Sequence, residues 1–457
     1  MEPHFYENMI RKTFIDFYQT KEFEKQPVVM HKAKGVYLWD VEGKRYFDGI
    51  GGVFVATLGH GHPRVLEALR KQSEILALAP PLHSVSDVTL KFVERLGQVS
   101  PGNLNYIKSF CGGSESIEGA LKLVRQYYRQ TGRPDKMKVV SNYLSYHGGT
   151  FGALSAGGSD RKAKFEPLMG GFVKSFSPKQ LRDEFGSWEE TCRFSAKLVE
   201  KVIVSENPDT VGAVLVEPIC NTAGIITPTE EYFHILREIC DKYDVMLILD
   251  EVLTGFCKTG DMFAAQTFHV VPDILCSGKG LSGGVIPMGA FMAREDIADA
   301  FYGEEADQVQ FAHGHTYANF PLGDAVATEV INIMEDEHLA ERARVLNGRL
   351  VERLEGLKKY GVIREVRGKG VLLGVELVAD PVTNEPFPAD NKLGSALKKT
   401  AIQNGLIMRI DPDWFAIAPP LVSTDAEIDE LCDLIEKSLT DAIKLVRREA
   451  NHLPNAK

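Results

Sequence analysis

The run Val245-Met246-Leu247-Ile248-Leu249-Asp250-Glu251 is apolar for five residues and then ends on two carboxylates. An unbroken aliphatic run without alternation is the mark of a strand buried on both faces, and such strands belong to parallel sheets covered by helices. On either side of it, Tyr106-Ile107, Lys138-Val139-Val140, Ala213-Val214-Leu215-Val216 and Ile274-Leu275 are further strand candidates, separated by helical patterns between about residues 59 and 325. This alternation predicts an α/β fold around a mostly parallel central sheet. Residues 28–54 read as a meander of short strands. Residues 325–355 read as one long helix, and 361–377 and 406–419 as strands flanking a helix near 391–404. The last helix opens with the capping-box spacing Thr424-Asp425-Ala426-Glu427, and Ile428, Leu431, Cys432, Ile435, Leu439 and Ala442 form its apolar face. The expected organisation is an N-terminal segment (1–58), a large domain (59–325) and a C-terminal part (326–457). Both ends of the chain contribute to the smaller α+β domain.

Composition narrows the function. The chain has 457 residues, with 52 Lys plus Arg against 63 Asp plus Glu, a formal charge of −11. An acidic surface repels phosphate backbones and anionic lipid, which argues against nucleic-acid or membrane-surface binding as the main activity. Hydrophobic residues make up 44% and charged residues 25%, the balance of a globular protein with a sizeable core. No apolar run exceeds five residues, and Met1-Glu2-Pro3-His4-Phe5-Tyr6-Glu7 lacks the apolar centre of a secretory signal. The seven cysteines (Cys111, Cys192, Cys220, Cys240, Cys257, Cys276, Cys432) are odd in number and widely spaced, as in a reducing compartment. The expectation is a cytoplasmic protein.

Four stretches carry chemistry. Asp250 and Glu251 close a buried strand, where open α/β sheets place ligands. A Walker B reading of that strand needs a G-x-x-x-x-G-K-[ST] loop, yet the three Gly-Lys pairs are followed by Arg45, Gly280 and Gly370. In Ile274-Leu275-Cys276-Ser277-Gly278-Lys279-Gly280, a lysine follows an apolar strand directly, among glycines. A surface-loop lysine is the commoner reading. In a pocket, burial would depress its pKa and let the neutral amine attack a carbonyl to form a Schiff base.

Cys111-Gly112-Gly113-Ser114-Glu115-Ser116 leads into a helix whose apolar face is Ile117, Ala120, Leu121, Val124 and Tyr128. Its N-terminus offers N–H groups and a hydroxyl to a phosphate, although a capped helix without a ligand is common. Gly112–Ser116 misses the G-x-S-x-G nucleophile elbow at its last residue. Ser145-Tyr146-His147-Gly148-Gly149-Thr150 sets an aromatic ring on a glycine-rich loop, suited to stacking or to packing. The triplets His60–His62 and His313–His315 have no acidic or cysteine ligand beside them and read as loop structure, so no metal is expected. Together, a phosphate cradle, a stacking ring, a buried acid and a pocket lysine match the needs of pyridoxal 5'-phosphate.

At these residues the sequence closely resembles the class III aminotransferases, pyridoxal-phosphate enzymes of fold type I that include ω-amino acid:pyruvate and amine:pyruvate aminotransferases. The likeness runs from Asp48-Gly49-Ile50-Gly51-Gly52 through Leu249-Asp250-Glu251-Val252-Leu253-Thr254-Gly255-Phe256 to Ala418-Pro419-Pro420-Leu421. It implies the following roles. Lys279 is the Schiff-base lysine and proton shuttle, and Asp250 partners the pyridinium nitrogen. Val252 and Tyr146 pack the two ring faces, Gly113 and Ser114 bind the phosphate, and Glu217 is an acid near the cofactor. Thr316 is the phosphate-binding threonine that arrives from a neighbouring subunit, which implies a homodimer with composite active sites. Arg409 resembles the mobile arginine that takes the carboxylate of a 2-oxo acid. Phe54 stands where some amine aminotransferases have a pocket tryptophan.

The implied activity is ping-pong transfer of an amino group from an ω-amino acid or amine to a 2-oxo acid, pyruvate or glyoxylate. An aminomutase or decarboxylase of the same family is the alternative. The sequence departs from the family's frequent Gly-Phe-Gly-Arg-Thr-Gly at Gly255-Phe256-Cys257-Lys258-Thr259-Gly260. Ser277-Gly278 stands where Leu-Ala is frequent, and Ser116 where Ala is frequent.

Overall fold

The first strands are short and antiparallel: β1 (Met30–Lys34), β2 (Tyr37–Asp40) and β3 (Arg45–Asp48). The turn between β2 and β3 is closed by Asp40, whose carboxylate accepts the N–H groups of Glu42 and Lys44. The computed structural model describes residues 5–388 and 393–452. The expected helix near 391–404 is found over Leu393–Gln403, and its first two expected residues lie outside the described ones.

The central sheet has seven strands: β4 (Tyr106–Phe110), β5 (Lys138–Asn142), β6 (Phe172–Ser175), β7 (Val211–Val216), β8 (Met246–Asp250), β9 (Ile274–Gly278) and β10 (Gly289–Ala293). Their order is β4-β10-β9-β8-β7-β5-β6. Every pair from β9 to β6 is parallel, and β10 alone runs against its two neighbours. Strands β7, β8 and β9 are buried at every residue, because helices cover both faces. The helix Gly113–Gln130 packs on β9 and β10 through the face that holds Ile117, Ala120, Leu121, Val124 and Tyr128.

Two strands, β6 and β10, are absent from the sequence expectation. In β6 the charged Lys174 interrupts the apolar pattern. Its ammonium turns inward and donates to Ser141 Oγ (2.7 Å) and Ser155 O (3.0 Å), so burial pushes it down to about 7.

The remaining strands are β11 (Ile363–Lys369), β12 (Leu372–Leu377), β13 (Leu406–Ile407), β14 (Arg409–Asp411) and β15 (Trp414–Ile417). β13 pairs parallel with β3, which joins the two ends of the chain in one sheet, while β11-β12-β15-β14 form another. The last helix, Asp425–His452, buries Ile428, Leu431, Cys432, Ile435, Leu439 and Ala442 as expected.

One expectation is corrected. Residues 325–355 are not a single helix but two, Pro321–Asp336 and Leu339–Glu355. His338 adopts a left-handed conformation (φ 52°), which redirects the chain so that Leu339 and Ala343 start a second buried face. Among the described residues, no helix is long and apolar enough to cross a membrane, and all seven cysteines are free.

Candidate active site

The carboxyl ends of β4, β5, β7, β8 and β9 lie on one edge of the sheet, and each delivers a residue singled out from sequence. β8 delivers Asp250, buried with 4% exposure. The loop after β5 brings His147, also buried, and His147 Nδ1 donates to Asp250 Oδ2 at 2.8 Å. The other Asp250 oxygen, Oδ1, accepts the Val252 N–H (3.1 Å). One neighbour fixes the carboxylate's orientation and the other places a ring N–H on it. The His147 Nε2 atom is buried without a partner among the described residues. Sequence reading quoted His147 but gave it no role; its place beside the stacking aromatic was the available signal.

Tyr146 is held from behind: its backbone N–H donates to Glu217 Oε2 (3.0 Å) at the end of β7. Burial pushes the Glu217 carboxyl up, and the Asp250 charge adds to that. Ser114, in the first turn of the helix Gly113–Gln130, accepts the Gly149 N–H on its hydroxyl (3.0 Å), which pins the Tyr146 loop to the helix N-terminus. Two glycines are required by this closeness. A Cβ on Gly113 would stand 2.5 Å from Val252 Cγ1, and one on Gly148 (φ +142°) 2.5 Å from Ser114 Oγ. First-turn N–H groups have no intrahelical acceptor, so this end presents donors to an anion.

Lys279 opens a short 3-10 turn directly after β9 with φ 42°, a strained backbone for a residue with a side chain. Burial lowers its pKa from the ordinary lysine value. The charges of Asp250 and Glu217 oppose this, and that of Arg409 adds to it. Lys258, at the position where the resembled family frequently has arginine, is buried close by. Its Nζ donates to Gly255 O (3.1 Å) and lies 2.6 Å from where a Cβ on Gly280 would be. Burial, with the charge of Lys279 added, pushes Lys258 down to about 7. The neighbouring Glu251 is structural: it accepts the N–H groups of Ala264 (2.6 Å) and Ala265 (2.7 Å) and the Thr254 hydroxyl (2.9 Å).

Three further residues come from outside these strand ends. Phe54 is buried with φ 65° at the end of the short helix Gly51–Phe54. Arg409 on β14 is half-buried, donates from Nε to Asp411 Oδ2 (3.0 Å) and lies over the Trp414 ring at 4.7 Å. Thr316 is exposed and lines a cavity of about 950 Å³ with Pro80, Leu82 and His315, and no contact joins it to the Lys279 group among the described residues.

The family model described as "Aminotransferase class-III" matches residues 18–439. The chain is 35% identical to a taurine–pyruvate aminotransferase of Bilophila wadsworthia, over 92% of this chain and 94% of that protein. It is 33% identical to a putrescine–pyruvate aminotransferase of Pseudomonas aeruginosa, over 93% of each. Among solved structures, an omega transaminase from Pseudomonas jessenii in complex with PMP superposes with a TM-score of 0.91 at 29% identity, covering 96% of this chain and 98% of that one. The fold is thus that of fold type I transaminases.

Proposed function

Because the chain belongs to the class-III aminotransferases, we propose that it is a pyridoxal-phosphate enzyme that moves the amino group of an ω-amino acid or amine to a 2-oxo acid, pyruvate or glyoxylate. The reading is carried by the convergence of Lys279, the Asp250–His147 pair and the Gly113–Ser114 helix terminus on one sheet edge. A cradle too tight for a Cβ, ringed by N–H and hydroxyl donors, fits a phosphate, and a buried acid beside a buried amine fits the ring it carries. When bound, the cofactor supplies an electron-accepting ring that makes the substrate Cα proton removable.

The chain's own residues do the rest. Gly113 and Ser114 bind the phosphate; Tyr146 and Val252 pack the ring, with Glu217 positioning Tyr146. Asp250, oriented by His147, holds a proton at the ring nitrogen. Lys279 anchors the cofactor, and burial shifts its amine towards the neutral form that takes and returns the substrate proton. Arg409 binds the carboxylate of the 2-oxo acid through its planar fork, and Phe54 lines the pocket.

Thr316 completes the phosphate site of a second copy in a homodimer. Exposed apolar side chains near its cavity, Leu82 (89%) and Tyr317 (51%), support burial against a partner. The division into 1–58 with 326–457 and 59–325, and a cytoplasmic location suited to seven free cysteines, belong to the same reading.

The test is a spectroscopic screen of the holoprotein, first with amine donors and then with 2-oxo acids, in wild type and Lys279→Ala. Wild type is expected to cycle between its aldehyde and amine forms, and borohydride to trap the cofactor on residue 279. Sustained turnover by Lys279→Ala at the normal rate refutes the assignment.

A further inference from the structure

The turn Asp160–Lys164 carries Arg161 over the Tyr146 ring, with the guanidinium carbon 4.8 Å from the ring centre. The same guanidinium lies 4.1 Å from the ring of Phe17, which reaches it from the N-terminal segment. Arg161 is half-buried, and no carboxylate among the described residues pairs with it. Arg409 differs in this respect, since Asp411 already occupies its Nε.

Aromatic faces attract a guanidinium but accept none of its five in-plane donors. The edge of Arg161 is therefore left with a positive charge and a fork of N–H groups that match two oxygens of one oxyanion. Its stacking partner Tyr146 is tied to Glu217, and the next residue, His147, to Asp250, so Arg161 packs on the same loop that holds Asp250. The Asp250 carboxylate disfavours an anionic substrate nearby, and an unpaired cation on the Tyr146 side offsets that repulsion.

We propose that Arg161, held between Phe17 and Tyr146, is the specificity-determining residue for the amino donor, binding a carboxylate or sulfonate carried at the end of the donor remote from its amine. The inference rests on the aminotransferase reading and deepens it: the preferred donors are ω-amino acids rather than uncharged amines or diamines.

The experiment follows the donor half-reaction alone, by cofactor absorbance in the holoenzyme, with β-alanine, taurine and butylamine as probes. Loss of a bidentate, charge-assisted contact in Arg161→Leu is expected to lower kcat/KM by about 10- to 100-fold for the anionic donors. The loss with butylamine is expected to be far smaller. Arg161→Lys, which keeps the charge but not the fork, should fall between. A selective loss on both acids supports an oxyanion site of either kind, and a selective loss on one alone supports the site and identifies its head group. Equal losses on all three donors, no loss on either acid, or a wild type that accepts butylamine but neither acid overturns the inference while leaving the aminotransferase reading intact. A wild type inert to every donor, with no change in cofactor absorbance, overturns that reading instead.

Discussion

Gly113→Ala adds one methyl group at a close approach in the candidate site. Its Cβ would stand 2.5 Å from Val252 Cγ1, 3.0 Å from Cγ2 and 3.3 Å from Cβ. Carbon atoms in ordinary contact are about 3.5–4.0 Å apart, so roughly 1 Å of movement is needed. Rotating Val252 can turn its two γ carbons aside but leaves its Cβ at 3.3 Å, still inside that limit. Either the turn into the helix Gly113–Gln130 or the end of β8 must shift, and the Val252 N–H ties the latter to Asp250. Overpacking of this size costs about 1–3 kcal/mol. Expressed in cofactor binding, that is about 5- to 150-fold weaker affinity.

The assay is titration of apoprotein with pyridoxal phosphate, with Gly112→Ala as the control one residue away. A Cβ on Gly112 meets nothing within 4 Å, and its φ of −178° is extended backbone open to any residue. The control is expected to bind within about twofold of wild type, the spread of unobtrusive substitutions. Wild-type affinity in Gly113→Ala, or equal weakening in both variants, would refute the cradle.

Two further outcomes follow from the same geometry. Lys258 has its pKa lowered from 10.5 to about 7 by burial. The stability it contributes is therefore present above its unfolded value and lost as pH falls through about 7. Wild type should lose melting temperature from pH 10 towards 7, and Lys258→Met should flatten that slope; an unaltered slope counts against a buried, neutral Lys258. Asp250→Asn keeps the volume but removes the charge that accepts from His147. Loss of a charge-assisted bond worth about 1.5–3 kcal/mol should slow the donor half-reaction at least tenfold with cofactor still bound, and an unchanged rate would remove Asp250 from the chemistry.

Strand β8 was legible because burial on both faces leaves an aliphatic run without alternation, closed by two carboxylates. The apolar faces of the helices Gly113–Gln130 and Asp425–His452 were legible for the same kind of reason, a repeat that fits a helical turn. Strand β6 was not, since its central Lys174 finds acceptors supplied by residues 141 and 155. The break at His338 was not either, as one left-handed residue leaves no mark on periodicity.

Periodicity, capping and turn chemistry act over a few residues, and they were enough to give the α/β class, the strand that ends in Asp250 and the lysine that follows β9. Contacts between residues far apart in the chain follow no local rule. The His147–Asp250 bond, the burial of Lys258 beside Lys279 and the stacking of Arg161 between Phe17 and Tyr146 exist only once the sheet has aligned its strand ends. The chemistry of each side chain is written in its residue type, but its charge state and its partner are set by what packs around it.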